Sequence, residues 1–313
     1  MNTTFSLASN QRDVWYDQLA HHDSPVYNIA GYLRIEGKLD CDVLKKAFKK
    51  LVSENEALRL SVYQKNETLW QTVNDETDLE LEFIDFSNVE NAELVAIEWV
   101  KNSVQKPFVL GKNKKIIQFT LIKIQSNLHY LFTKYHHIIA DGWSTTVTLT
   151  RLGQLYNELL KNCPCDNPTL HRYADYVQQE QDYFASEIYQ RDADYWFSVI
   201  PTLPHSLIEK HYPTTLNESL PRANIYTFLL KRAFYNELTE FAQNQKSTTY
   251  HLLLSALALY FSRTTQQNEI VIGVPVLNRS GAKFRDVLGM FVSLSPLVLN
   301  INLADDSNQI MKM

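Results

Sequence analysis

Glycine and proline are scarce, at 8 and 10 in 313 residues, which excludes collagen-like, elastic and low-complexity chains. Three cysteines, Cys41, Cys163 and Cys165, are too few and too badly spaced for a disulfide framework or a zinc site. Neither sign of charge dominates. With 30 basic against 35 acidic side chains, the chain has no electrostatic footprint for nucleic acid. No apolar run approaches the roughly 18 residues that a membrane span needs. The opening, MNTTFSLASNQRDVWYDQ, lacks the basic and apolar regions of a secretion signal, so the expectation is a soluble, cytoplasmic protein. What the chain does have is apolar surface. A hydrophobic share of 45%, with 17 Tyr, 15 Phe and 5 Trp, supports a sizeable core and argues against disorder. At this length one domain usually becomes two.

Hydrophobic periodicity points to a mixture of strands and helices. Asn28 to Glu36 reads as a strand closed by Gly37, and Asp40 can cap a helix whose apolar face is Val43, Leu44, Ala47, Phe48 and Leu51. Leu58 to Tyr63 and Leu69 to Val73 suggest a hairpin around Lys65-Asn66-Glu67, and Leu79 to Ile84 a half-buried strand. A helix over Ala92 to Val104, strands over Ile116 to Ile124 and Leu128 to Tyr135, and a long helix from Ser144 to about Lys161 follow. Pro164 and Pro168 then break the pattern, giving an expected boundary between residues 1–170 and 171–313. Beyond it the spacing predicts one helical stretch over Tyr173 to Phe197, and a linker between Pro201 and Pro221 that holds four of the ten prolines. A strand over Asn224 to Lys231, a helix over Ala233 to Asn244, a buried apolar helix over Tyr250 to Ser262, and strands over Glu269 to Pro275 and Phe291 to Ile301 complete the reading. The class is α+β, with two halves of similar texture.

The chemistry concentrates in Lys134 to Ser144, KYHHIIADGWS, which joins a strand to a helix. The helix start offers unpaired N–H groups and partial positive charge, suited to a developing oxyanion. A neutral imidazole beside it can take a proton from an attacking amine, alcohol or thiol. Successive side chains at a strand end point to opposite faces, so one of His136 and His137 should face the reacting groups. Asp141 lies across a turn from them and suits an ion pair with an arginine better than a role as imidazole orienter. Adjacent histidines on a strand diverge, and no other His or Cys has ligand spacing to them, so no metal site is expected. A serine elbow, a P-loop and a Gly-rich dinucleotide loop are all missing.

This string resembles the HHxxxDG signature of condensation domains from nonribosomal peptide synthetases, within the chloramphenicol-acetyltransferase-like superfamily. Further motifs keep the family's order. Ser6 to Trp15 resembles the opening motif, with Asn10 where Ala is usual. Glu56-Ala57-Leu58-Arg59 matches the core of the second, although Glu54-Asn55 stand for the usual Arg-His and Leu60 for Thr. Tyr173 to Tyr176 matches the fourth, and Ile272 to Arg279 with Gly289 to Val292 the fifth. The resemblance therefore spans residues 6 to 292.

The resemblance implies two acetyltransferase-like lobes in a V, with the second incomplete here because family members continue considerably further. On that basis the isolated chain is expected to be weakly active or inactive and prone to self-association. His137 would act as general base or position the acceptor amine, and Gly142 would offer its N–H near the thioester oxygen. His136 would shape the site. Asp141 would be structural, paired with Arg279 or, as the other candidate, Arg59. Trp143 and Tyr176 read as core, Arg12 and Trp15 as lobe packing. No cofactor would be bound by the chain, since substrates would arrive on the 4′-phosphopantetheine of carrier domains. The implied partners are those carriers and the adenylation domains of a synthetase. Pro25 to Ala30 resembles starter-type domains, which take an acyl or aryl donor. Two other readings compete: a stand-alone CoA- or carrier-dependent O- or N-acyltransferase, and a non-catalytic carrier-docking module.

Overall fold

A computed structural model of the chain describes residues 3–75, 79–163, 171–208, 226–279 and 283–302. Cys165, Pro164 and Pro168, most of the expected linker and the last eleven residues fall outside that range. The chain divides into two compact units: Met1–Ala185 with Leu277–Ser293, and Ser186–Val276 with Leu294–Met313.

In the first unit, strand β1 (Thr3–Ser6) leads into helix α1 (Ser9–Ala20), strand β2 (Asn28–Glu36) and helix α2 (Cys41–Glu54). Asp40 caps α2 by accepting from the N–H groups of Asp42 and Val43, as its place before the apolar stripe predicts. Strands β3 (Leu60–Lys65) and β4 (Thr68–Val73) form a hairpin whose two-residue turn, Asn66-Glu67, has φ of 49° and 63°. Positive φ at both turn residues matches the twist of the flanking strands. Residues Glu56–Arg59 form a 3-10 turn instead of the start of β3. Strand β5 (Glu82–Asp85), helix α3 (Ala92–Val104), strands β6 (Ile117–Gln125) and β7 (Leu128–His136), and helices α4 (Gly142–Leu160) and α5 (Tyr173–Phe184) follow.

Two sheets result. One is antiparallel in the order β1-β4-β3, and the other has the order β2-β7-β6-β5, with β5 parallel to β6 and the other pairs antiparallel. The second sheet is covered on both faces, and the strand period of two shows it. Phe119 and Leu121 of β6 with Leu131 and Tyr135 of β7 join the main core, which includes Phe48 and Leu51 of α2 and Leu152 and Leu155 of α4. Ile122, Ile124, Tyr130 and Phe132 face a smaller core with Ala96 and Val100 of α3. All nine residues of β7 are consequently buried, and its C-terminal end carries the histidine pair.

Helix α5 and residues 277–293 pack with the first unit, so these compact units differ from a division at residue 170. The reason is aromatic. Tyr173 and Tyr176 of α5 meet Phe291 at ring-centroid distances of 5.3 and 4.5 Å, and Tyr176 meets Phe284 at 5.7 Å. All four belong to the main core.

The second unit holds helices α6 (Glu187–Val199), α7 (Arg232–Asn244) and α8 (Thr249–Thr265), and a two-stranded sheet of β8 (Glu269–Val276) and β9 (Ser293–Asn300). Three readings need correction here. The helix expected over Tyr173 to Phe197 is two, because Ser186 interrupts it and accepts from the Tyr189 N–H to cap α6. Residues 226–231 form no strand, although their pattern alternates. The apolar α8 is not buried: only Ala258 and Ser262 are.

Candidate active site

The site is assembled where β7 ends. Asn28 of β2 lies opposite His136, and the backbone N–H of His137 donates to the Tyr27 carbonyl at 2.7 Å. His137–Ile139 form a single 3-10 turn, and Ala140 leads into Asp141, the residue before α4. His136 is fully buried, whereas His137 is half-buried. The strand end thus separates the two rings as the alternation argument requires.

His136 is tied at both nitrogens. Its Nδ1 accepts from the Ile138 N–H at 3.1 Å, and its Nε2 lies 3.1 Å from the Gln18 Oε1. Burial first, and the neighbouring His137 second, push its pKa down from 6.5 to about 3, so the ring is neutral at physiological pH. His137 differs. Its Nδ1 is buried without a hydrogen-bond partner, and its ring stands edge-on to Tyr27 at 6.4 Å between centroids. The Tyr27 hydroxyl donates to Asp17 at 2.8 Å; burial and that carboxylate push its pKa up to about 12.

Asp141 sits in a dense knot of donors. It accepts from the Ser144 N–H at 2.8 Å, the Ser144 hydroxyl at 2.8 Å and the Phe291 N–H at 3.1 Å. Arg279 Nη2 lies 2.9 and 3.0 Å from its two carboxylate oxygens, and both side chains are buried. Burial lowers the Arg279 pKa while Asp141 opposes that shift. The guanidinium also donates to the Phe284 carbonyl at 2.9 Å and lies 4.0 Å from the centre of the Phe291 ring. Glycine is required at 289 by this crowding. A Cβ there would meet the Tyr173 ring at 2.2 and 2.4 Å.

Of the two arginines considered for Asp141, the structure selects Arg279. Arg59 instead donates to the carbonyls of Asn74 at 3.0 Å and Ser53 at 3.5 Å, so it does not belong to this knot. Gly142 is exposed at the first turn of α4, where the helix leaves N–H groups without internal partners. Trp143 donates its indole N–H to the Arg285 carbonyl at 2.9 Å, and the buried Tyr176 hydroxyl accepts from Asn278 at 3.0 Å. Trp15 is buried and Arg12 is exposed. The departures at Glu54-Asn55 have local partners. Glu54 forms a two-pronged ion pair with Arg151 of α4 at 2.9 and 3.0 Å, and Asn55 donates to the Leu51 carbonyl at 2.7 Å. A cavity of about 630 Å³ lies along α4 between Trp143, Arg151 and Leu288; neither histidine lines it.

Two residues carried no assigned role in the sequence, Gln11 within the opening motif and Gln18 beyond it. Both are buried, and Gln11 donates to the Ile138 carbonyl at 2.7 Å. A signal for them exists. The buried face of α1 is Gln11, Val14, Trp15 and Gln18, so two amides occupy apolar-stripe positions.

The condensation-domain family model matches residues 1–313, and the chain belongs to that family. It is 25% identical to a dimodular nonribosomal peptide synthase of Bacillus subtilis (strain 168), over 95% of this chain and 12% of that protein. It is 30% identical to gramicidin S synthase 2 of Brevibacillus brevis, over 85% of this chain and 6% of that one. The chain thus spans a small part of the length of these synthetases. Among solved structures it resembles a starter condensation domain of rhizomide synthetase, a variant in complex with C8-CoA, at a TM-score of 0.84 and 24% identity. That match covers 99% of this chain and 69% of the other. The first condensation domain of the calcium-dependent antibiotic synthetase matches at a TM-score of 0.82 over 73% of its chain. The α+β fold is that of condensation domains. Among the described residues no helix is long and apolar enough to cross a membrane.

Proposed function

We propose that the chain catalyses amide formation between a carrier-bound acyl or aminoacyl thioester and an amine acceptor. The observation that carries this reading is the division of labour in the histidine pair: His136 is neutral, buried and bonded at both nitrogens, while half-buried His137 remains available. The acceptor nitrogen attacks the thioester carbonyl and the C–N bond forms. His137 takes the proton that the nitrogen sheds. The N–H of Gly142, at the positive end of α4, faces the oxyanion, and the C–S bond breaks to release the thiol that receives the proton. Asp141 and Arg279 hold the turn and take no part in proton transfer. Substrates arrive on the 4′-phosphopantetheine of carrier domains, with adenylation domains as further partners in a cytoplasmic synthetase.

His137→Ala should lower the rate of condensation between two loaded carrier proteins by about 10²–10⁴-fold, with the thermal melt unchanged. Activity close to that of the unmodified chain would assign the catalysis to substrate positioning instead of the imidazole. A second reading, that the donor is acyl-CoA and the domain is of starter type, is favoured by the C8-CoA complex of its structural relative. Transfer from acyl-CoA without a donor carrier would distinguish the two.

A further inference from the structure

We infer that Gln18 is a positioning residue for His137, acting through His136 and the loop that follows α1; this rests on the reading of His137 as the reacting base. Every polar atom of the Gln18 amide is engaged. Its Nε2 donates to the carbonyls of His21 at 2.7 Å and Ser24 at 3.3 Å, and its Oε1 faces the His136 Nε2 at 3.1 Å. The Ile138 N–H occupies the His136 Nδ1, so the hydrogen-bond network assigns the ring proton to Nε2, where it is donated to Gln18.

A continuous path results. It runs from the Ile138 N–H, in the turn that carries His137, through His136 to Gln18, and on to the carbonyls of His21 and Ser24. The same loop returns to the pair at Tyr27, whose carbonyl accepts from the His137 N–H at 2.7 Å and whose ring stands edge-on to the His137 ring. Among the described residues His137 has no partner on its own Nδ1, so no carboxylate orients the imidazole through that nitrogen. Its placement comes from the backbone on either side, and Gln18 binds both His136 and the loop leading to Tyr27. Gln11 completes the clamp by donating to the Ile138 carbonyl at 2.7 Å. An apolar residue at 18 would leave a buried imidazole N–H unpaired and release the ring to change tautomer.

The test compares Gln18→Leu with Gln18→Glu on the full chain, read by imidazole ¹⁵N resonances of the free protein and by condensation kinetics. In the unmodified protein His136 should show the single Nε2–H tautomer. Gln18→Leu should abolish that pattern, shift the His137 ring resonances, and lower kcat by about 10²-fold with KM for the loaded acceptor carrier little changed. Gln18→Glu keeps the acceptor for His136 but loses both donations to the loop carbonyls, so it should keep the Nε2–H pattern with kcat reduced by an intermediate amount, about tenfold. A folded Gln18→Leu that leaves the His137 resonances in place overturns the proposal, as does one with altered tautomers and undiminished kcat. Should Gln18→Leu fail to fold, Gln18→Glu decides: loss of the Nε2–H pattern there overturns it. The resonances do not depend on turnover. The expected shifts together with a His137→Ala variant as active as the unmodified chain would therefore count against His137 as the base and not against Gln18 as its support.

Discussion

Helices α4 and α8 are of similar length, 19 and 17 residues, and each holds five leucines, yet they have opposite surroundings. α4 packs against α2 and buries Ser144, Thr148, Leu152 and Leu155, one stripe along its axis. Two of those four are hydroxyl residues in its first half: Ser144 bonds the Asp141–Arg279 pair, and Thr148 donates to the Ser144 carbonyl one turn on. α8 contacts α7 and β8, buries only Ala258 and Ser262, and leaves Tyr250, Leu253, Leu257 and Tyr260 between 43 and 61% exposed. Hydrophobicity of a helix does not itself decide burial. The number of layers packed on it does. The first unit surrounds α4 with helix, sheet and the 284–291 segment, whereas the core beside α8 consists of Ala258, Ile270, Leu299 and Ile301 with a few partly buried neighbours.

The largest effect should come from breaking the knot at the start of α4. Asp141→Ala strands a buried Arg279 guanidinium and removes acceptors from Ser144 and the Phe291 N–H. A loss of about 3–5 kcal/mol is expected in urea unfolding. A folded, equally stable but slow variant would move Asp141 from support to chemistry. Gly289→Ala should follow, at about 1–3 kcal/mol or somewhat more, because the added methyl collides with the Tyr173 ring at 2.2 Å. An unchanged melting temperature would mean that the ring can move aside, and that the first unit is less tightly closed than its contacts indicate.

A third difference is electrostatic. His136 has a pKa of about 3 in the folded chain against 6.5 as the reference, chiefly through burial. Above pH 6.5 both states hold it neutral and nothing is lost. Below that, the unfolded chain binds a proton that the folded chain refuses, so stability falls by about 1.4 kcal/mol per pH unit until about pH 3. His136→Gln should flatten the slope between pH 6 and 5 by about that amount, measured by urea unfolding at each pH. An equal slope in both proteins would place the acid sensitivity elsewhere.

The same contrast explains what could be read from the sequence. Elements of the first unit follow local rules. Asp40 as cap, the Asn66-Glu67 turn and the apolar period of α3 each decide their segment without help from distant residues. The histidine pair, Asp141 and the start of α4 were legible because strand, turn and helix are contiguous in the chain. Which arginine meets Asp141 was not legible from spacing, since Arg59 and Arg279 are 82 and 138 residues away; the preference for Arg279 comes from the family resemblance, and the return of residues 277–293 to the first unit brings it close. Gln18 was missed because an amide within an apolar stripe has meaning only once its partner is known. In the second unit the local rules misled. Residues 226–231 alternate as a strand should but have no paired neighbour among the described strands, and α8 carries the apolar content of a buried helix while the described residues supply few layers to bury it.

The smallest effect on stability should come from the exposed face of α8, and it tests the comparison most directly. Leu253 and Leu257 are 56 and 43% exposed, so most of the apolar area of each already meets water. The paired substitution Leu253→Gln/Leu257→Gln removes little burial and keeps good helix formers at both positions. Its change in unfolding free energy should stay within about 0.5 kcal/mol. A second quantity should change clearly. Tyr250, Leu253, Leu257 and Tyr260 form one stripe at helical spacing, and stripes of that kind bind apolar dyes and one another. The variant should bind less dye and run at a smaller mean size in light scattering than the unmodified chain. A loss of about 2 kcal/mol or more, on the order of a buried leucine, would show that α8 is packed in solution and that the two helices are not opposites.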